Sequence, residues 1–201
     1  KYLGIYLDEH LDGSAHCLEL QTKLRRSIGM LAKTKQYLDP PELLAFYHST
    51  FSSHLLLGCQ IWGLTSDSII KKIETSQNTA IKIMAHDYST QIQSDDDDEF
   101  VPIHVTPYYH SLKILKLKDS IALKNCLLVH DYINKKLPIS FDGYFTFQSE
   151  INAMVTRQSS RGSLFMPVIE TEKYGRQSIK HQAILAWNQV LKIFPNQDFH
   201  T

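Results

Sequence analysis

The sequence predicts a mostly α-helical protein: a multi-helical bundle with a short N-terminal β-strand or hairpin remnant and an irregular segment before the last helix. Apolar residues recur at helical spacing in several stretches joined by short loops, which favours an antiparallel bundle. The chain has 201 residues, of which 43% are hydrophobic, and this is enough to bury a sizeable core. The composition excludes collagen-like and fully disordered classes.

The first two predicted elements are a strand and a helix. Residues 1–8 alternate imperfectly between apolar and polar and contain Gly4, which indicates a short strand that another backbone approaches closely. Ser14 is the candidate N-cap of a first helix that runs to about Tyr37. The apolar residues of this helix share one face: Cys17, Leu20, Leu24, Ile28 and Leu31.

A second helix begins in the motif Asp39-Pro40-Pro41-Glu42. Asp39 can cap this helix, Pro40 suits its first position, and Glu42 can hydrogen-bond back to the cap. We expect the helix to be largely buried and to extend toward Trp62, where two nearby glycines leave its end open.

An acidic stretch follows a third helix, which we predict from residue 67 onward. Residues 87–106 carry acidic but no basic side chains, and Asp95–Glu99 form a continuous acidic run. Like charges this close repel one another, so we predict a flexible loop. Metal ions need ligands held on a rigid scaffold, and we therefore assign no metal site to this run.

The remaining elements are predicted from apolar spacing and turn residues. Residues 108–117 can form a short helix, and Asp119 can cap a longer one that reaches residue 136. This longer helix is apolar nearly all round, so we expect it to be central. Residues 141–161 are predicted to be irregular, and a last helix begins near residues 174–175 and stops before Pro195.

No motif for a catalytic centre or a cofactor occurs in the sequence. Phosphate-loop, dinucleotide-binding, zinc-protease and serine-hydrolase motifs are all absent. The three cysteines fit no zinc-ligand spacing, and their odd number favours a reducing intracellular location, nuclear or cytoplasmic. No apolar run is long enough to cross a membrane. The chain starts with Lys1 rather than Met, so we expect a segment of a longer polypeptide.

The first helix carries a cluster of basic residues that suits contacts with nucleic-acid phosphates. Its members are Lys23, Arg25, Arg26, Lys33 and Lys35. Taken alone, however, this pattern favours an ordinary solvated helix face.

Short motifs occur in one order along nearly the whole chain. They are Lys1-Tyr2-Leu3-Gly4-Ile5, Leu24-Arg25-Arg26-Ser27, Gly29-Met30-Leu31, Gly58-Cys59-Gln60-Ile61-Trp62-Gly63, Gln77-Asn78-x-Ala80-Ile81, Leu112-Lys113-Ile114-Leu115-Lys116-Leu117, Asn125-Cys126-Leu127-Leu128-Val129-His130, Leu137-Pro138, Thr156-Arg157, Tyr174-Gly175-x-x-Ser178-Ile179 and Trp187-Asn188. Together they resemble the C-terminal part of reverse transcriptases from jockey-like non-LTR retrotransposons.

This resemblance implies a division of the chain and a role for its N-terminus. Residues 1–12 would end the palm, with Tyr2, Leu3 and Gly4 in the primer-grip hairpin. Residues 13–86 would form a three-helix thumb-like bundle, residues 87–106 the acidic loop, and residues 107–201 a helical post-thumb region.

The resemblance also implies partners and an absent active site. In the family, the catalytic Tyr/Phe-Ala-Asp-Asp motif lies upstream, and this sequence does not contain it. The implied role is to grip an RNA/DNA template-primer beside the palm and fingers of the same polypeptide, without extending a primer alone. A divalent metal such as Mg²⁺ would bind in that palm, so no cofactor is assigned to this chain.

Two departures from the family leave a second reading open. Gly13 stands where a Trp is common, and the stretch from Asp95 to Val101 looks like an insertion. The alternative is a helical protein-interaction or structural module, a decayed or host-retained retroelement fragment without nucleic-acid binding. An independent hydrolase is disfavoured because no nucleophile, base and orienting group can be named together.

Overall fold

Helices form nearly all of the regular structure in the computed structural model, which describes residues 1–9, 13–89, 104–151, 162–171 and 175–194. The predicted multi-helical fold class is therefore confirmed. The chain divides into two units, Lys1–Ser120 and Ile121–Thr201. The acidic run at residues 95–99 lies outside the described residues.

The helices follow one another in this order along the chain: α1 Ser14–Thr34, α2 Pro40–Tyr47, a π-helical turn His48–Ser52, α3 Ser53–Leu56, α4 Cys59–Trp62, α5 Asp67–Ser89, α6 Thr106–Ser111, α7 Leu117–Ile133, a 3₁₀ turn Ile139–Phe141, α8 Gln148–Ile151 and α9 Ile179–Ile193.

The N-terminal residues form a tight turn rather than the predicted strand. Tyr2 and Ile5 exchange two backbone hydrogen bonds of 2.8 and 2.9 Å. Leu3 and Gly4 between them both have positive φ, 46° and 89°, as in the turns that connect hairpin strands. The pairing stops after this single bridge, so only the hairpin remnant of the prediction is present among the described residues.

Helix α1 begins at Ser14, and Gly13 is its N-cap, with a left-handed φ of 72°. The prediction that Ser14 caps the helix is therefore wrong. A Cβ on Gly13 would lie 3.1 Å from Cα of Trp62, so the chain enters the helix in close contact with the Trp62 backbone. The helix ends at Thr34, before Tyr37. Cys17, Leu20, Leu24 and Leu31 are buried in the core as its apolar spacing predicts, whereas Ile28 is only half-buried.

The second predicted helix is divided into three. Asp39 is its N-cap and Pro40 its first residue, as predicted, but the Asp39 side chain makes no capping hydrogen bond. The π-helical turn interrupts the helix at His48–Ser52. Gly58, with a left-handed φ of 60°, then separates α3 from α4, because the chain turns there to bring Trp62 into the core.

Helices α6 and α7 differ from their predicted bounds and burial. α6 spans Thr106–Ser111, and Asp119 lies in the first turn of α7 rather than at its cap. Leu123 and Leu127 are 47% and 45% exposed, whereas the polar residues Ser120 and Asn125 are buried. The helix expected to be central thus exposes part of its apolar surface, because hydropathy alone does not show which of its apolar residues pack against the rest of the protein.

The second unit has a core of its own. Helix α9 begins at Ile179, several residues later than predicted, and its N-cap is Ser178, whose Oγ accepts a hydrogen bond of 3.3 Å from the His181 N–H. The irregular segment before it contributes one antiparallel bridge, between Phe147 and Leu164. The core consists of Val129, Phe145, Leu164, Ala183, Ile184, Trp187 and Leu191.

Candidate nucleic-acid interface

The structure brings three of the five predicted basic residues together on the outer side of α1. Arg25, Arg26 and Lys33 are exposed, and at 3.6 residues per turn they lie within an arc of about 100°. This arc is opposite the buried residues of the helix. Lys23 is half-buried at the edge of the core face, and Lys35 follows the end of the helix.

These three side chains are free to meet an anion. Within the described ranges, Arg25, Arg26 and Lys33 form no ion pair or hydrogen bond with another side chain. Their charges are therefore not neutralised locally by a carboxylate of the described residues. An arrangement of unpaired guanidinium and ammonium groups on one helix face is suited to phosphodiester oxygens.

Ser27 fixes the buried side of α1, opposite the basic residues, against the π-helical turn. It is buried, and its hydroxyl donates a hydrogen bond of 3.0 Å to the Thr50 carbonyl in the π-helical turn. Leu24 and Leu31 on the same helix are fully buried. Because Ser27 directly follows Arg25 and Arg26, this bond sets the position of the basic side relative to the rest of the first unit.

The predicted primer-grip residues lie on the N-terminal turn. Tyr2 and Leu3 are 69% and 79% exposed, so the turn directs both side chains outward. Gly4 faces the body of the unit, since a Cβ there would lie 3.2 Å from the Leu57 side chain. These residues are distant from the basic residues in the sequence, but both groups belong to the same unit.

The turn is seated on the break between α3 and α4. A Cβ on Gly58 would overlap the Ile5 side chain, so the absence of a side chain at Gly58 leaves room for Ile5. The indole N–H of the buried Trp62 donates to the Leu57 carbonyl at 2.9 Å. Because Leu57 precedes Gly58 and Trp62 ends α4, this bond connects the two sides of the break.

His16 connects the segment after the turn to α1. Its Nδ1 accepts a hydrogen bond of 3.4 Å from the Tyr6 backbone N–H, and its ring lies 6.5 Å from the Tyr6 ring and 6.2 Å from the Trp62 ring, centroid to centroid. Its Nε2 is buried and has no partner among the described residues. Burial lowers the pKa of His16, and the charge of Lys23 lowers it further, against the opposing effect of Glu19.

The amide side chains of the buried Gln77 and the half-buried Asn78 hold the chain that precedes α7. The Gln77 Nε2 donates to the Leu115 carbonyl at 2.9 Å, while its Oε1 accepts from the Leu117 N–H at 3.0 Å. The Tyr109 hydroxyl donates to Asn78 Oδ1 at 2.8 Å. Two of the ordered motifs, at residues 77–81 and 112–117, therefore contact each other directly.

In the second unit, the amide side chain of Asn188 likewise holds a segment that is distant in the sequence. The Asn188 side chain accepts from the Leu164 N–H at 3.0 Å and donates to the Leu164 carbonyl at 2.9 Å, as a neighbouring strand would. Trp187 donates from its indole to the Gly162 carbonyl at 3.1 Å. The Trp187-Asn188 motif thus fixes the extended segment that precedes α9.

Ser27, Gln77 and Asn188 have structural roles that the motifs and the helical pattern of the sequence do not predict. A detectable signal was present for Gln77, which lies in the middle of the apolar face of α5 between Ile73 and Ala80. A polar residue at such a position needs partners inside the protein. The identity of those partners depends on which segment packs there, and the helical pattern does not contain that information.

Metal-ligand clusters and membrane-spanning helices can be sought only in the part of the chain that the structure describes. In these ranges, no three His, Cys, Asp or Glu side chains are placed to hold a metal ion together. No described helix is both long and apolar enough to cross a membrane.

Part of the chain is similar to a known polymerase. A probable RNA-directed DNA polymerase from transposon X-element of Drosophila melanogaster is 34% identical over 87 residues. The aligned region covers 42% of this chain, and it spans about 10% of that relative. No protein-family model and no solved structure matches the chain. Part of this chain is therefore related to a transposon-encoded RNA-directed DNA polymerase, which supports a retroelement origin.

Proposed function

We propose that this chain is the thumb and post-thumb part of a jockey-like non-LTR retrotransposon reverse transcriptase and that it grips the RNA/DNA template-primer. The observation that carries the proposal is the exposed side of α1, where Arg25, Arg26 and Lys33 have no acidic partner among the described residues. The similarity to the X-element polymerase supports the polymerase context.

The contact is local and made to phosphates. The formal net charge of the chain is zero, so the protein as a whole provides little long-range attraction to nucleic acid. Three cations on one helix side nevertheless release counterions when they meet a phosphate backbone, and this favours binding at low salt. Such contacts position a duplex without reading its sequence.

In this proposal, the N-terminal turn makes a second contact, with the palm of the same polypeptide. Tyr2, Leu3 and Gly4 correspond to the primer-grip hairpin of the resembling family, and the two larger side chains are exposed. Leu57, which lies beneath the turn, is also 43% exposed. This apolar surface is suited to packing against the palm of the same polypeptide.

Catalysis is assigned to the rest of the parent polymerase. The palm motif with its paired aspartates is missing from this sequence, so we expect the chain alone to extend no primer. Divalent metal ions such as Mg²⁺ would be held by carboxylates of that palm. In this proposal, the chain positions the template-primer, and the palm catalyses its extension.

Fluorescence anisotropy with a labelled RNA/DNA hybrid tests the proposal. The variant replaces Arg25, Arg26 and Lys33 with Ala, and the matched control replaces the exposed Lys71, Lys72 and Lys82 of α5 with Ala. Both changes remove three positive charges from exposed helix positions. Only the α1 variant is expected to weaken binding strongly, because only those residues form the proposed interface.

The opposite result would favour a protein-interaction module. If the unmodified chain fails to bind the hybrid at low salt, the basic side of α1 is an ordinary solvated surface. The exposed apolar residues of the N-terminal turn would then be the better candidate for a binding surface, and their partner would be a protein segment.

A further inference from the structure

Neither the backbone conformation nor the packing of α1 requires a glycine at position 29. Its φ is not in the left-handed region, and a Cβ at this position would meet nothing within 4 Å. Glycine is the least favourable residue after proline in a helix interior. The remaining glycines with a defined neighbour, such as Gly13 and Gly58, have positive φ or face another segment closely, so Gly29 differs from them.

The position of Gly29 is the centre of the basic side. Arg25 and Arg26 precede it by four and three residues, and Lys33 follows it by four, which makes all three its neighbours on the helix surface. Arg26 and Lys33 are about 10.5 Å apart along the helix axis. The helix therefore presents bare backbone between cations on both sides.

We infer that Gly29 is a close-contact point where the sugar-phosphate backbone of a nucleic-acid duplex lies directly on the backbone of α1. This inference rests on the proposed function and adds where the duplex lies. Arg25 and Arg26 bind phosphates on one side of the contact, and Lys33 binds on the other. A side chain at position 29 would hold the duplex away from the helix and lengthen each of these ion pairs.

The test uses two substitutions that act oppositely on stability and on binding. Gly29→Ala improves helix propensity, so the thermal midpoint is expected to rise by about 2–4 °C. The same variant is expected to bind the RNA/DNA hybrid more weakly than the parent chain. Gly29→Leu is expected to weaken binding by roughly tenfold or more, as is usual for a contact at the centre of an interface.

The matched control is Ala45→Leu, which adds similar bulk at an exposed position of α2 and is expected to leave affinity unchanged. Weakened binding by Gly29→Leu, with Gly29→Ala more stable than the parent, supports the inference. If Gly29→Leu binds as tightly as the parent while the triple α1 variant is weakened, the inference is wrong and the proposed function stands. A lower midpoint for Gly29→Ala would show that the fold requires the glycine and would also overturn it.

Failure of the proposed function gives a different pattern. If the parent chain does not bind the hybrid, or if the triple α1 variant binds as the parent does, both the proposed function and the inference fall. The outcomes of the two substitutions at Gly29 therefore separate an error about this contact from an error about the whole interface.

Discussion

The side-chain oxygen of Gln77 accepts a hydrogen bond of 3.0 Å from the backbone N–H of Leu117. Through the same amide, Gln77 also binds the Leu115 carbonyl, so one side chain of α5 fixes the chain immediately before α7. Gln77 and Leu117 are both buried. The two residues therefore join α5 to the segment that enters α7, and the Leu117 N–H is buried where water cannot replace a lost partner.

Replacing Gln77 with Ala is expected to destabilise the first unit by about 2–4 kcal/mol, because a buried donor and an acceptor lose their partner together. Urea unfolding followed by circular dichroism measures this change. Gln36→Ala, at an exposed position, is the control and should alter stability by less than about 0.5 kcal/mol. Equal unfolding midpoints for the two variants would show that the hydrogen bonds of Gln77 do not stabilise the first unit.

Asn188→Ala is expected to loosen the second unit locally. The buried Leu164 would lose the partners of both its N–H and its carbonyl, so its amide proton should exchange with solvent faster than in the parent chain. Hydrogen exchange measured by NMR reports this directly. Gln189→Ala, next to it on the exposed side of α9, should leave the Leu164 exchange rate as it is. An unchanged rate in Asn188→Ala would show that the amide does not hold this segment.

Gly58→Ala is expected to destabilise the protein, in contrast to Gly29→Ala. Its φ of 60° is unfavourable for alanine, and the new Cβ would overlap the Ile5 side chain. A left-handed alanine alone costs about 1–2 kcal/mol. Thermal unfolding should therefore show a lower midpoint for Gly58→Ala.

A second substitution separates the two effects at Gly58. Ile5→Ala in the Gly58→Ala background removes the overlap but leaves the backbone strain, so the midpoint should recover in part. Loss of stability that is strictly additive for the two substitutions would mean that Ile5 does not rest on Gly58.

His16 is expected to make the first unit less stable at acidic pH. Its pKa in the folded state lies below the unfolded value of 6.5, so the unfolded chain binds more protons in this range. The contribution of neutral His16 is fully present above pH 6.5 and decreases as the pH falls through the interval between the two pKa values. Protonation would also place a proton on Nδ1, which accepts from the Tyr6 N–H.

Urea unfolding at pH 7.5 and 5.5 tests this dependence. His16→Gln keeps a hydrogen-bonding side chain without a titrating ring, so its stability should fall less between the two pH values than that of the parent chain. If both proteins lose the same free energy of unfolding, His16 is not responsible for the acid sensitivity.

The sequence predicted the elements that depend on local periodicity. The apolar face of α1 and the start of α2 at Pro40 follow from the spacing of residues and from the conformation that proline prefers. The cap of α1 could not be predicted in this way, because Gly13 is placed there by the approach of the Trp62 backbone. A contact between residues so far apart in sequence leaves no periodic signal.

The candidate interface was predicted in part. The exposure of Arg25, Arg26 and Lys33 follows from their position opposite the apolar face, whereas the half-buried state of Lys23 depends on packing at the edge of the core. The hydrogen bond from Ser27 to the Thr50 carbonyl, which supports that interface, depends on a π-helical turn. Residue propensities do not specify such a turn, so the bond was not predictable.

The salt dependence of binding to an RNA/DNA hybrid tests the central claim most directly. The logarithm of the binding constant should fall linearly with the logarithm of salt concentration, with a slope of roughly 0.9 per phosphate contact. Replacing Arg25, Arg26 and Lys33 with Ala should flatten this slope by up to about 3 units, and the Lys71, Lys72 and Lys82 control should retain the parental slope. Equal slopes for the α1 variant and the parent chain would contradict the claim that α1 grips the nucleic acid.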